Sequence, residues 1–281
     1  TPYIIELKTK GGLRLTTDFN LDFKTDTVKV NVEGRVATVE LNRPESMNAL
    51  DLEMIRGLAW NLKELCNSDD VEIVVLKGSG RAFSAGGDIK TMLAEGNESD
   101  FLGIMDSISE LVITLYSMPK LTISAITGAA AGLGFSLALA TDYIVADPAS
   151  KLAMNFIGIG LIPDGGGHFF MKTRVGETKA KHLIWEGKPM SASQALELGL
   201  IDEVATNGLD ESVAHKVQEW EQKPLQAMIK TKKIYAEENR VSLLKFLELE
   251  KIAQTKMRQT EDHKEGISAF LGKRKPNFIG K

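Results

Sequence analysis

The chain of 281 residues contains a single cysteine, Cys66, and therefore cannot form an intramolecular disulfide. A structural zinc site is not expected, because such sites combine several cysteine and histidine ligands. The N-terminal residues also lack the charged-then-apolar layout of a secretory signal. These features together predict a reducing, cytoplasmic environment.

Long apolar runs and an excess of one charge are also missing. No stretch approaches 18 uninterrupted apolar residues, so no membrane span is expected. The formal net charge is -4 with both signs mixed along the chain, which argues against a nucleic-acid or membrane-surface protein. The lysine-rich segment 230–233 lies close to Glu237 and Glu238, and this pattern favours a solvated helix face.

Strand, turn and helix signals alternate from residue 27 onward and predict an α/β domain with right-handed crossovers. The predicted strands are 28–32, 36–41, 71–76, 121–126, 143–146 and 151–155. Helices are expected from Asp51, as N-cap, to about Asn67, over about 100–118 and from about Gly134. After Val204 the sequence becomes helical and charge-rich. With 43% hydrophobic residues, the chain can bury a large core.

Two glycine-rich turns are the most informative motifs. Arg81–Ile89 follows one apolar run and leads into a helix-like segment, 89–94; the second turn, Thr127–Ser136, follows another apolar run. Glycine at a strand-to-helix turn permits unusual φ values and close approach of a ligand to the backbone. Two such turns can direct two peptide N–H groups at one oxygen, which is the geometry of an oxyanion hole.

Four motifs in the same order and spacing resemble those of the crotonase, or enoyl-CoA hydratase/isomerase, family. They are Leu41–Leu50, Arg81–Lys90, Gly128–Gly134 and Gly160–Gly167. The resemblance implies a crotonase-type ββα superhelix core with a helical C-terminal region. We expect an N-terminal extension over 1–30, the core over 31–205 and a trimerisation region over 206–281.

The resemblance also implies site residues. The backbone N–H groups of Gly87 and Leu133 match the oxyanion hole that binds a thioester carbonyl. Further positions match the CoA-binding site of the family, namely Glu45, Ser46, Met47, Ala85, Asp88 and Ile89. The substrate would be an acyl-CoA thioester, with no metal or redox cofactor and with a homotrimer or a dimer of trimers as the assembly. The basic tail 273–275 is expected to be solvated.

The acid/base residue decides the reaction. Hydratases of the family use two glutamates, and Ser136 and Phe156 stand at those positions here, where we expect them to line the substrate site. Neither can transfer a proton as a carboxylate does. Asp164 stands where isomerases of the family carry an aspartate, and burial among apolar residues would raise its pKa towards a useful range.

Purely structural roles are the alternatives to these assignments. Asp164 and Asp88 are both residue types that stabilise turns or cap helices. His168 fits a surface or helix-start position, and Ser84 and Ser136 lack the context of a hydrolase triad. The sequence thus favours double-bond isomerisation with Asp164 as acid/base. Hydration of a 2-enoyl-CoA and a non-catalytic acyl-CoA-binding protein remain the alternatives.

Overall fold

The computed structural model describes residues 25–89 and 98–281. Most of the expected N-terminal extension, residues 1–24, lies outside these ranges. The same holds for the helix-like segment after Ile89. No helix in the described ranges is both long enough and apolar enough to cross a membrane.

A six-stranded sheet forms the centre of the molecule, with strand order β1-β2-β3-β4-β6-β9. The pair β1 and β2 is antiparallel, and each further neighbour is parallel to the one before it. The strands of this sheet are β1 Val28–Glu33, β2 Val36–Leu41, β3 Ile73–Gly78, β4 Leu121–Ile126, β6 Tyr143–Ala146 and β9 Glu203–Val204. Parallel pairing joined by helices confirms the predicted α/β class.

A smaller second sheet has the order β5-β7-β8. The sequence patterns predict strands but do not assign them to two separate sheets. Its strands are β5 Ala129–Ala131, β7 Lys151–Ala153 and β8 Met190–Ser191. Strand β5 contains only small residues and lies inside the second glycine-rich turn, so it carries no hydrophobic alternation. This short strand is what brings the second turn into contact with the first.

Nine α-helices cover the sheets within the described ranges. They are α1 Leu52–Asn67, α2 Glu98–Ser117, α3 Leu133–Leu139, α4 Gly167–Val175, α5 Glu177–Glu186, α6 Ala192–Leu198, α7 Leu209–Glu221, α8 Leu225–Met257 and α9 Glu261–Leu271. The Asp51 carboxylate accepts a hydrogen bond from the Met54 amide, which confirms the predicted N-cap of α1. The helical C-terminal region is confirmed as well.

The boundaries differ slightly from the predicted ones. Strand β1 begins at Val28, so it crosses the expected limit of the N-terminal extension at residue 30. The predicted strand 71–76 is shifted to Ile73–Gly78 because Glu72 is still part of the connection from α1. The change from core to helical region falls between β9 and α7, near the predicted residue 205.

The main core lies between the central sheet and helices α1 to α4, and it buries aliphatic side chains such as Leu58 and Leu111. A second cluster on the other face packs Ile73 and Ile123 against α7 and the start of α8, where Trp220 and Ile229 are buried. The carboxyl ends of β3 and β4 are neighbours in this arrangement. The two glycine-rich turns that follow these strands therefore meet at one edge of the sheet.

Candidate active site

The two glycine-rich turns are joined directly through Ser84. The Ser84 amide donates to the Ala129 carbonyl at 3.0 Å, and the Ala131 amide donates to the Ser84 carbonyl at 3.0 Å. The Ser84 hydroxyl donates to the Asn48 carbonyl at 2.8 Å. Ser84 is fully buried and its backbone groups are paired, so the two turns are held in one relative placement.

Two glycines make this close approach possible. Gly86 has a φ of 94°, and a Cβ atom there would lie 2.7 Å from the Ala131 carbonyl oxygen. A Cβ atom on Gly134 would lie 2.6 Å from the Cβ of Ser84. Any side chain at either position would push the turns apart.

The amides of Gly87 and Leu133 have no acceptor among the described residues. Gly87 forms a parallel bridge with Leu50, in which Leu50 bonds to the residues on both sides of Gly87. The Gly87 N–H therefore points away from that bridge. Leu133 is the first residue of α3, where the helix offers its N–H no acceptor.

Both residues line one pocket, whose empty volume is about 480 Å³ with its solvent mouth included. Its walls come from the start of α1, from α2, from both glycine-rich turns, from the loop before α4 and from α8. The apolar lining residues are Leu50, Leu52, Ile55, Phe101, Ile104, Met105, Ile108, Leu133 and Leu161. The charged or polar side chains are those of Asp88, Asp164 and Gln254.

Asp164 lies in this wall and is 9% exposed. The Gln254 amide donates to its Oδ2 at 3.1 Å, whereas Oδ1 is buried and has no hydrogen-bond partner among the described residues. Burial, and secondarily the nearby Glu250 carboxylate, raise the pKa of Asp164 to about 7, against the opposing effect of the Gln254 hydrogen bond. Asp164 is therefore a carboxyl group with a pKa near neutrality and with one oxygen that has no partner in the described part of the chain.

Asp88 is a different kind of carboxylate, because it is paired. Its Oδ2 lies 3.0 Å from Nη1 of Arg43, which also lies 3.0 Å from Oδ2 of Asp51. The Asp88 amide donates to the Leu50 carbonyl at 3.0 Å. Beyond Ile89, the helix-like segment predicted over 89–94 lies outside the described residues, so helix capping by Asp88 stays untested.

The early loop carries the other predicted CoA-binding positions. Residues Pro44–Ser46 form a 3-10 helix, and Met47 follows it with an exposed side chain. The Ala85 amide donates to the Met47 carbonyl at 2.9 Å, so this loop lies beside the first glycine-rich turn. Glu45 is exposed, Ser46 is half-buried and donates its hydroxyl to the Arg43 carbonyl at 3.1 Å, and Ile89 is half-buried.

Ser136 and Phe156 do not belong to the residues that line the pocket. Ser136 is fully buried, and its hydroxyl donates to the Asp164 carbonyl at 2.8 Å. The Phe156 ring packs against Gly132, directly before Leu133. Ser136 thus supports the backbone at Asp164, and the contact of both residues with substrate stays a prediction.

Sequence reasoning missed two residues of α8, Glu250 and Gln254, which are separated from Asp164 by more than eighty positions. They are 2% and 1% exposed, respectively. Glu250 accepts hydrogen bonds from the Gly166 amide at 2.8 Å and from the His168 amide at 3.0 Å. The available signal was periodicity, because both residues continue the buried stripe of Leu243 and Leu247 along α8.

The raised pKa of Asp164 predicts a specific dependence of stability on pH. A carboxyl whose pKa is higher in the folded state stabilises that state below about pH 4, and this stabilisation is lost as the pH rises towards about 7. The free energy of unfolding of the wild type, compared with that of Asp164→Asn, should fall over this interval by on the order of 4 kcal/mol. Urea denaturation of both proteins between pH 4 and pH 8 measures this difference. A difference that does not change with pH would contradict the raised pKa.

Comparison with known proteins identifies the family. A family profile described as enoyl-CoA hydratase/isomerase matches residues 31–281. The Bacillus subtilis (strain 168) protein YhaR, which bears the same description, is 47% identical over 251 residues, covering 89% of this chain and 98% of YhaR. The 1,2-epoxyphenylacetyl-CoA isomerase of Escherichia coli (strain K12) is 35% identical over 258 residues, covering 89% of this chain and 97% of the isomerase.

Solved structures agree with the sequence relatives. An enoyl-CoA hydratase from Mycobacterium avium subsp. paratuberculosis K-10 superposes with a TM-score of 0.83 at 28% identity, covering 91% of this chain and 100% of that one. The named relatives thus include both an isomerase and a hydratase, so the names alone do not select the reaction. The chain belongs to the enoyl-CoA hydratase/isomerase, or crotonase, family.

Proposed function

We propose that the protein is an enoyl-CoA isomerase that moves a double bond within an acyl-CoA thioester, with Asp164 as the acid/base. One observation carries this proposal: Gly87, Leu133 and Asp164 line a single apolar pocket, and among the described residues the amides of Gly87 and Leu133 have no acceptor and one Asp164 oxygen has no hydrogen-bond partner. A base whose pKa lies near the working pH is the type that proton transfer requires.

The reaction follows from these three groups. The thioester carbonyl of a 3-enoyl-CoA accepts hydrogen bonds from the Gly87 and Leu133 amides. Asp164 Oδ1 removes a proton from C2, and the electrons of that C–H bond form a dienolate whose oxygen the two amides stabilise. The protonated Asp164 then returns the proton to C4, so that the double bond moves from C3–C4 to C2–C3.

Hydration is disfavoured because Ser136 and Phe156 stand at the two sequence positions where hydratases of the family carry glutamates. Addition of water with two carboxylates needs one group to activate water and another to protonate carbon. In the described part of the pocket wall, Asp164 and Asp88 are the carboxylates, and Asp88 is paired with Arg43. One available carboxylate oxygen suffices for isomerisation, because the same proton leaves one carbon and reaches another.

We further propose that CoA enters as part of the substrate and lies along the early loop and the first glycine-rich turn. The contact between Met47 and Ala85, and the exposed side chains of Met47 and Glu45, support this path. Ser46, Asp88 and Ile89 border the same edge. The mechanism needs no metal or redox cofactor, because each step is a proton transfer.

A homotrimer, or a dimer of trimers, is the assembly that we propose. The long helix α8 supports it, because Ile234, Tyr235 and Val241 are 69%, 65% and 78% exposed there. Apolar side chains in such a group mark interaction surfaces.

Light scattering should give three or six times the mass of one chain, whereas the mass of a single chain would contradict the assembly.

The variant Asp164→Asn tests the acid/base. Asparagine has the shape of aspartate but cannot accept the proton, so isomerisation of 3-hexenoyl-CoA to 2-hexenoyl-CoA should fall by about 10²–10⁴-fold. Product formation is measured by chromatography with mass detection. The control is Asp106→Asn on α2, where a carboxylate that is 63% exposed undergoes the same substitution and activity should be retained.

Three outcomes would contradict the proposal. Unchanged isomerisation by Asp164→Asn would remove Asp164 from the mechanism. Formation of 3-hydroxyacyl-CoA from 2-hexenoyl-CoA by the wild type, at a higher rate than isomerisation, would favour a hydratase. A protein that binds acyl-CoA without turning over a panel of enoyl-CoA substrates would be a binding protein.

The variant pair Leu133→Pro and Leu133→Ala tests the oxyanion hole. Proline is tolerated at the first position of a helix but has no N–H, whereas alanine shortens the side chain and retains the N–H. Loss of one oxyanion donor costs about 10²–10³-fold in rate. The kcat of Leu133→Pro should therefore lie below that of Leu133→Ala by about this factor. Equal values in two folded variants would show that the Leu133 amide does not act in the reaction.

A further inference from the structure

The last turns of α8 carry two polar side chains in an otherwise apolar stripe. Glu250 and Gln254 are four residues apart, so they lie on the same face of the helix. Burying a carboxylate and an amide is costly unless their hydrogen bonds are satisfied. All the partners that the structure gives these two side chains belong to the segment 162–168, which contains Asp164.

Gln254 holds one oxygen of Asp164. Its Oε1 accepts from the Ile162 amide at 3.1 Å, and its Nε2 donates to the Ile162 carbonyl at 2.9 Å. This double contact with one residue fixes the orientation of the side-chain amide. The same Nε2 donates to Asp164 Oδ2 at 3.1 Å, which leaves Oδ1 as the available oxygen.

Glu250 holds the other side of the same loop. Its Oε2 accepts from the Gly166 amide, and its Oε1 accepts from the His168 amide and lies 2.8 Å from His168 Nδ1. These contacts fasten the start of α4 to α8. They also place a buried negative charge close to Asp164, and this charge contributes to the raised pKa of Asp164.

Other charged or titratable groups face the pocket or the loop from neighbouring elements. Asp88 lies in the pocket wall and is paired with Arg43. The guanidinium of Arg258, just after α8, lies 4.0 Å from the centre of the Phe101 ring. His263 on α9 is bonded through Nδ1 to the Ile159 carbonyl at 2.8 Å. Besides burial, the raised pKa of Asp164 reflects the charge of Glu250 and not that of any of these groups.

We propose that Glu250 and Gln254 are positioning residues for the reaction. Gln254 selects Oδ1 of Asp164 as the reacting oxygen. Glu250 fixes the loop that carries Asp164 and places a like charge beside the Asp164 carboxyl group. This inference rests on the proposed role of Asp164. It assigns to the C-terminal helix a part in the proton transfer, in addition to any part in assembly. Neither residue contacts the reacting carbons in this scheme.

The two residues act on Asp164 in opposite electrostatic directions, and this supplies the test. The variant Glu250→Gln removes a like charge, so the acid limb of the kcat/KM profile should move to lower pH. The variant Gln254→Met removes a hydrogen bond to the carboxylate, so the acid limb should move to higher pH. Gln254→Met should also lower kcat by more than it changes KM, because Oδ1 is no longer fixed.

Two controls accompany these variants. Glu248→Gln removes a negative charge from the same helix at a side chain that is 62% exposed. The acid limb of the kcat/KM profile of this variant should match that of the wild type. His168→Gln removes the imidazole that contacts Glu250, and the acid limb should persist. Circular dichroism and thermal unfolding establish that each variant is folded.

The inference would be overturned if the limb stayed in place in folded Glu250→Gln and Gln254→Met, or if Glu248→Gln moved it as far. Loss of the limb in His168→Gln would assign it to the histidine and overturn the inference as well. If Glu250→Gln does not fold, Gln254→Met decides alone by the direction of its shift. An inactive Asp164→Asn combined with unmoved limbs would refute this inference while leaving the proposed function intact.

Discussion

The hydrogen bonds between Ser84 and the short strand β5 are the constraint on which the proposed site depends. They join two turns that follow different strands of the central sheet, and the close approach requires glycine at positions 86 and 134. The amides of Gly87 and Leu133, which have no acceptor among the described residues, follow this junction in the two turns. Because the donors belong to the backbone, their geometry is set by the fold and tolerates the leucine at position 133.

A second constraint comes from the far end of the chain. Helix α8 closes the pocket with Gln254 and holds the loop of Asp164 through Glu250. Burial alone would raise the pKa of Asp164, but it would not determine which oxygen is available. In the proposed mechanism, the turns supply the donors for a carbonyl, while the packing of α8 determines the surroundings of Asp164.

The parts of this arrangement that depend on local sequence could be predicted, and the parts that depend on distant packing could not. Strands such as Leu121–Ile126 and the Asp51 cap follow from local patterns. The roles of Gly87, Leu133 and Asp164 come from the family resemblance of the motifs and stay predictions. The contacts of Glu250 and Gln254 arise from tertiary packing. In the sequence, Glu250 is one of many charged residues on a lysine-rich and glutamate-rich helix, and nothing local distinguishes it from those that face solvent. The bond between the buried Ser136 hydroxyl and the Asp164 carbonyl is a further contact that arises from packing, because α3 turns this hydroxyl towards the loop.

The central claim is that one pocket holds the thioester oxygen on two amides and presents the α-carbon to Asp164. A crystal structure with acetoacetyl-CoA, whose C2 is acidic and whose thioester resembles that of the substrate, tests this claim most directly. The account predicts the thioester oxygen at about 2.7–3.1 Å from the amide nitrogens of Gly87 and Leu133, with Asp164 Oδ1 facing C2. A thioester oxygen bound away from both amides, or a C2 beyond the reach of Asp164, would contradict it.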